Sequence, residues 1–427
     1  VLSVLRDRRF AALFGSQVAS LVGTGVLTVA LALLAVRLEG DEAARILGIA
    51  LTIRIAAYVI VSPIASALLT GRSSRGILLA ADAARLVVAA GLVLATEEWH
   101  IYLAIVLLQS ASAVFTPTYQ AVIPVVLADE GDYTAAQSLS RLAYDLESLL
   151  SPIIAALLVL VLPAPALFAV TAAGFLLSGL GVLLSRITVP AGGGAEPFRS
   201  RLTRGVRLLA GTPSLRFLAV LDAATAAVFA TVLVSTVVLL LEAGAADPAD
   251  PSAPLAVALV LFGAGSIVVA LLLPRILRRL TDRTAMAAGA VLAALALGAT
   301  AALALTGALS LPGVAVLWFL LGAASCAIST PSARIIRRDA AAADRPAVFA
   351  ARFSTSHAWY LVTYPVAGLL GAAVGPGLAT AALALLCLLA LGAALALSMR
   401  RPVAGASAPP SAAPAAPASP AAPKVEG

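Results

Sequence analysis

Eight charged side chains fall inside stretches that are otherwise apolar, or in the polar turns that extend them: Arg54, Asp82, Arg85, Arg141, Asp145, Glu147, Asp222 and Arg352. A charge at the centre of a membrane helix costs about 2.5–3.5 kcal/mol even on the most lenient insertion scale. Such residues must pair, reach the interface or line a wet cavity. Residues 137–152 illustrate the third case. At about 100° per residue, Gln137, Ser140, Arg141, Tyr144, Asp145, Glu147, Ser148, Ser151 and Pro152 fall on one arc of about 160°, and Leu139, Leu142, Ala143, Leu146, Leu149, Leu150, Ile153 and Ile154 fill the other side. A helix so divided has one face for lipid or packed protein and one for a polar cavity. On the polar face Arg141 and Asp145 are four apart and can pair, while Glu147 sits near the edge, where it can meet another helix. Groups of this kind handle a substrate or a proton, or they lock helices together as fixed ion pairs.

Other residues extend the set. Arg54 lies about eight residues into its apolar run, near Thr52 and Tyr58, and suits either a structural anchor or an anion-binding group. His357, beside Ser354, Thr355 and Ser356, is the only histidine inside a run; it can carry a proton near neutral pH or serve as a hydrogen-bonded core residue. The expected substrate and proton pathway is therefore Arg54, Arg141, Tyr144, Asp145, Glu147 and His357. Asp82 and Arg85 are three apart near the end of their run, where snorkelling is possible, and Asp222 and Arg352 sit similarly. With Arg72 and Arg75 of the preceding loop, these read as gate or structural ion-pair residues. Two cysteines and two histidines are too few for a metal cluster, so neither a metal nor a cofactor is expected. Gly23-Thr24-Gly25 follows no strand and reads as a close-packing site for helices. No Walker-type sequence occurs, so any active transport must draw on a gradient, and no enzyme activity is expected.

These residues are positioned by an unusually apolar chain. Its 427 residues are 61% hydrophobic and 11% charged, against roughly 25% charged in ordinary soluble domains. Apolar runs at 13–36, 46–69, 77–96, 101–127, 218–241 and 255–274 each suit one membrane crossing of about 20 residues. Three longer charge-free runs, 148–185, 284–333 and 353–399, break at Pro163-Ala164-Pro165, near Gly307 to Gly313 and across Gly371 to Gly377, and fold back as hairpins. The expected fold is an all-α membrane protein of twelve transmembrane helices. The first run is longer than the 7–15 residues of a signal core and reads as a retained span. Twenty-two of the 28 Lys and Arg fall in loops on one side, which places both termini in the cytoplasm and the protein in the plasma membrane. The net charge of +7 thus reflects topology, and membrane lipid rather than nucleic acid is the expected partner.

The two halves repeat one another. Leu69-Thr70-Gly71-Arg72 matches Leu280-Thr281-Asp282-Arg283, Pro63 matches Pro274, Thr116-Pro117-Thr118 matches Thr330-Pro331-Ser332, Pro152 matches Pro365, and Arg9-Phe10 matches Arg216-Phe217, all at offsets of 207–214. Six spans per half make the repeats parallel, related by an axis along the membrane normal. Over about residues 5–400 this architecture resembles the major facilitator superfamily. The Arg-Arg-Phe entry, the Thr-Pro-Thr and the Arg-rich middle loop are most similar to its exporter branch, which includes drug, siderophore and metal-ion efflux proteins. The family's Gly-x-x-x-Asp-Arg loop has Gly71 in place of the aspartate here, whereas the second half keeps Asp282-Arg283. Because second and fifth helices neighbour each other in that family, the resemblance makes Glu147 or Asp145 the expected partner of Arg54.

The resemblance implies a six-helix bundle at 1–187, a basic cytoplasmic linker at 188–215, a second bundle at 216–400 and an Ala/Pro-rich disordered tail at 401–427. It implies a secondary active transporter, an antiporter that exports a small organic molecule by alternating access with the proton as coupling ion. Two alternatives stand beside it: a metal-ion exporter, or a non-transporting scaffold or sensor that has lost its gate aspartate.

Overall fold

The computed structural model describes residues 2–39, 43–163, 165–187, 197–244 and 252–399. The tail at 401–427 and most of the loop that opens the linker lie outside these residues.

Six long helices form the first half: α1 (Arg8–Glu39), α2 (Ala43–Leu69), α3 (Ser74–Gly91), α4 (Glu98–Val126), α5 (Glu130–Val161) and α6 (Ala166–Leu184). The amphipathic α7 (Phe198–Gly211) follows. The second half contains α8 (Pro213–Ala230) and α9 (Thr236–Glu242) joined by a π-helical turn, then α10 (Ser252–Ile276), α11 (Asp282–Leu305) and α12 (Leu311–Asp339). It ends with α13 (Arg345–Pro365), a second π turn, α14 (Gly371–Val374) and α15 (Pro376–Met399). Counting α8–α9 and α13–α14 as one path each gives six paths per half. Ten helices among the described residues are long and apolar enough to cross a membrane. The two paths outside that set are α5 and α13, which occupy equivalent places in the repeats. Both carry polar residues that line the central cavity.

Local chemistry explains the boundaries. Ser73, Asp129, Thr281 and Ser310 accept hydrogen bonds from backbone N–H groups in the first turns of α3, α5, α11 and α12, satisfying donors that a helix start leaves open. The breaks at Pro163–Pro165 and in the two glycine-bearing turns fall between α5 and α6, α11 and α12, and α14 and α15. Gly307 (φ 66°) and Gly375 (φ 91°) take left-handed conformations there.

The matched residues of the repeats occupy equivalent places. Pro63 and Pro274 lie inside α2 and α10, Pro117 and Pro331 inside α4 and α12, and Phe10 and Phe217 are fully buried near the starts of α1 and α8. Small residues set the helix spacing within each half. Gly23 of α1 faces Gly174 of α6, and Gly322 of α12 lies against Phe262 of α10, where a Cβ would come within 1.8 Å of the Phe262 carbonyl oxygen. In lipid, where apolar surface gains little by association, such close backbone approach is the main source of packing energy. Across the halves α2 and α4 pack on α13, α5 packs on α10 and α12, and α7 contacts α2 and α13 together.

Candidate functional site

Between the halves lies a cavity of about 400 Å³. Its walls come from α1, α2, α4 and α5 on one side and α8, α12 and α13 on the other. Arg54, Arg141, Tyr144, Glu147 and His357 all line it; the side chain of Asp145, the sixth expected pathway residue, lies outside the described residues. The helical period explains the convergence, since Arg54 and Tyr58 are four apart on α2, and Gln137, Ser140, Arg141, Tyr144 and Glu147 follow one face of α5.

Arg54 stacks over the Tyr58 ring at 5.7 Å and interacts electrostatically with Glu147. The Tyr58 hydroxyl donates to Gln109 Oε1 at 2.8 Å. Arg141 spans the cavity, donating to Ser325 Oγ of α12 at 3.2 Å and lying 5.8 Å from the Phe229 ring of α8. Ser140 donates to Gln17 Oε1 at 2.9 Å, which ties α5 to α1. On the opposite wall Arg352 binds Asp222 through two nitrogens, at 2.8 and 3.2 Å. Although 130 positions apart, the two form one bidentate pair on the cavity wall.

His357 sits within an aromatic cluster, with ring centroids 4.7 Å from Tyr58, 4.3 Å from Phe353 and 5.5 Å from Tyr360. Its Nδ1 lies 2.7 Å from the Phe353 carbonyl oxygen, a distance at which the nitrogen donates and leaves Nε2 as an acceptor. The rings stand tilted or edge-on to the imidazole and give the cavity an aromatic lining beside its charged groups. Phe229, Phe353 and Tyr360 were absent from the expected pathway because aromatic residues in an apolar run carry no polarity signal to set them apart from core.

Asp82 and Arg85 lie one turn apart on α3. Rather than snorkelling, both are buried, with 3% of each side chain exposed. They form an ion pair; Arg85 also donates to Ser20 Oγ at 2.8 Å, and Ser178 donates to Asp82 Oδ2 at 2.9 Å. The guanidinium lies between Phe115 and Phe175, at 4.3 and 4.7 Å. The pair therefore joins α3 to α1, α4 and α6 and lies away from the cavity. Of the loop arginines, Arg75 donates to the Leu183 carbonyl at 3.2 Å, tying the start of α3 to the end of α6. Arg72 borders a second groove, beside α7.

On the face that carries α7, here the linker face, the halves are clasped. Arg334 at the end of α12 binds Glu130 Oε1 of α5 at 2.5 Å, Thr134 of α5, and Asp282 of its own half at 2.8 Å. Arg337 donates to the carbonyls of Ala128 and Asp129 and lies 4.6 Å from the Tyr133 ring. Tyr133 donates to the Ala333 carbonyl at 3.1 Å, and Ser62 of α2 to the Ala350 carbonyl of α13 at 3.2 Å. These arginines counted at sequence level only towards topology, because nothing local marks which loop charges meet across the halves.

A cavity walled by two six-helix repeats and clasped at one end defines a membrane transporter. The model of the Major Facilitator Superfamily matches residues 13–313, and the chain belongs to that family. Among solved structures it is similar to the human organic anion transporter MFSD10 (TETRAN), with a TM-score of 0.74 and 13% identity over 91% of this chain and 99% of that one. It is also similar to the MFS transporter FucP in the outward conformation, with a TM-score of 0.70 and 13% identity over 92% and 99% of the two chains. A third likeness is to a POT family transporter in complex with 5-aminolevulinic acid, with a TM-score of 0.67 and 14% identity over 92% and 96%. No curated protein sequence matches the chain.

Proposed function

We propose that this protein is a proton-coupled exporter of a small organic molecule, moving its substrate across the plasma membrane as the two halves rock about the central cavity. The observation that carries this reading is the Glu147 carboxyl group, which shares the cavity with Arg54 on walls drawn from both halves. In this reading a proton taken up by Glu147 frees Arg54, so proton and substrate compete through one pair of side chains. Asp145 belongs to the same carrier set. The linker face is the cytoplasmic one, as its arginines indicate, and its clasp closes the cavity towards the cytoplasm. The aromatic cluster around His357 suits the apolar part of an organic substrate, and Arg141 and Tyr144 orient its polar groups.

The test is reconstitution in liposomes with an internal pH dye, an imposed gradient and a panel of candidate substrates. The expected result is a substrate-induced proton flux that disappears in the double variant Asp145→Asn, Glu147→Gln, with the protein still folded. Full transport in that variant would overturn the assignment of these carboxylates.

A further inference from the structure

The second groove, of about 490 Å³, opens on the linker face between α2, α4, α7 and the start of α13, so both halves and the linker contribute to it. Three arginines line it, Arg72, Arg201 and Arg204, with one acid, Asp344. Arg204 Nε binds Asp344 Oδ1 at 2.5 Å, so Arg72 and Arg201 have no second acid among the lining residues. Among the described residues the Arg72 guanidinium has no hydrogen-bond or ion-pair partner, and Arg201 Nε is buried without one. Ser66, Thr70 and Ser74 add hydroxyls to the rim.

The internal repeat indicates what is missing. Gly71 in this groove corresponds to Asp282 in the second half. Asp282 is 7% exposed and gathers Arg334 and Arg338, at 2.8 and 3.4 Å, so the second repeat neutralises its arginines with its own carboxylate. Gly71 supplies no side chain; a Cβ built on it meets nothing within 4 Å, and its φ of 86° lies in the left-handed region, where aspartate is among the better tolerated of the other residues. The first repeat thus has Gly71 and Arg72 where the second has Asp282 and Arg283, and the linker brings Arg201 to the same groove.

We propose that this groove binds a phosphate-type anion, whose charge stands in the place that Asp282 fills in the second repeat. Arg72 and Arg201 are its ligands, since guanidinium groups match phosphate oxygens in geometry and charge. The phosphate has two sources, an anionic lipid headgroup or a soluble phosphate. The wall formed by Val114, Pro117, Ala121 and Val125 is apolar, as the acyl chains of a lipid require. Because α2 and α13 both border the groove, an occupied site holds the halves together on this face. The binding step is independent of the export reading, and its test uses no transport.

The purified full-length chain in uncharged detergent is titrated with phosphatidylglycerol, with phosphatidylcholine as background, and separately with inorganic phosphate; adducts are read by native mass spectrometry and stability by thermal shift. The expected result is a response to phosphatidylglycerol, inorganic phosphate or both that loses about tenfold or more in apparent affinity in Arg72→Gln, Arg201→Gln. It stays unchanged in Arg278→Gln, Arg279→Gln, which removes the same charge from the corresponding loop of the second half. A response to the lipid alone assigns the site to headgroups; a response to inorganic phosphate assigns it to a soluble anion. Gly71→Asp restores the internal carboxylate and weakens the response in the same way, which keeps the test open if the double arginine variant fails to fold. No response to either probe, or equal losses in the two arginine pairs, overturns the proposal.

Discussion

Arg337→Gln isolates the contacts that hold the linker face shut. Arg337 donates to two backbone carbonyls of the opposite half, Ala128 and Asp129, the second at 3.3 Å, and its guanidinium lies 4.6 Å from the Tyr133 ring. All three contacts cross the halves, so they exist only while this face is closed. Glutamine is shorter and neutral and reproduces none of them. Hydrogen bonds from a charged donor contribute about 1.5–3 kcal/mol when buried, but these are exposed, and screening reduces them towards the values of surface pairs. A combined effect of about 1–2 kcal/mol on the closed state follows, or about 5–30-fold in the equilibrium between closed and open. Spin labels at Leu184 and Leu280, exposed on the linker face of the first and second halves, in a Cys326→Ser, Cys387→Ser background, report that equilibrium by pulsed dipolar spectroscopy. The long-distance population should grow by that factor. Glu130→Gln removes one partner of Arg334 whose side chain is 74% exposed, and should shift the distribution by no more than about fivefold. An unchanged distribution in Arg337→Gln, or a larger shift in Glu130→Gln, would refute the reasoning.

Two stability predictions follow from the packing. Asp82→Asn or Arg85→Met alone strands a buried charge and should destabilise the first half by about 3–5 kcal/mol, whereas Asp82→Leu with Arg85→Met should recover most of that loss; thermal unfolding in detergent compares the three. Gly322→Ala drives a methyl group into the Phe262 carbonyl and should cost about 1–3 kcal/mol, while Gly298→Ala, where a Cβ meets nothing within 4 Å, should be neutral or slightly stabilising by the same measurement.

How much of this was legible in advance depended on the range of each interaction. Apolar length and proline and glycine punctuation act over a few residues, so the helical paths and hairpin breaks could be read directly. The polar arc of α5 is equally local, and it placed Arg141, Tyr144 and Glu147 on one face before any neighbour was known. The partners of these residues were not legible. Arg141 reaches Ser325 on the other half, a contact that no spacing within α5 specifies. Asp82 and Arg85 have the position of snorkelling residues, yet Phe115 and Phe175, from helices remote in sequence, enclose the arginine.

The sequence by itself determined that this chain lives in lipid, that it is built of two parallel copies and that charged groups must line its interior, because each follows from composition, period or repetition along one strand of text. Only the tertiary structure decided that Asp222 and Arg352 pair, that Arg334 and Arg337 clasp the halves, and that Gly71 opens a groove where its counterpart Asp282 holds two arginines. These depend on which faces of separate helices meet, and that is set by small-residue packing between backbones, a property of pairs of helices that no single segment carries.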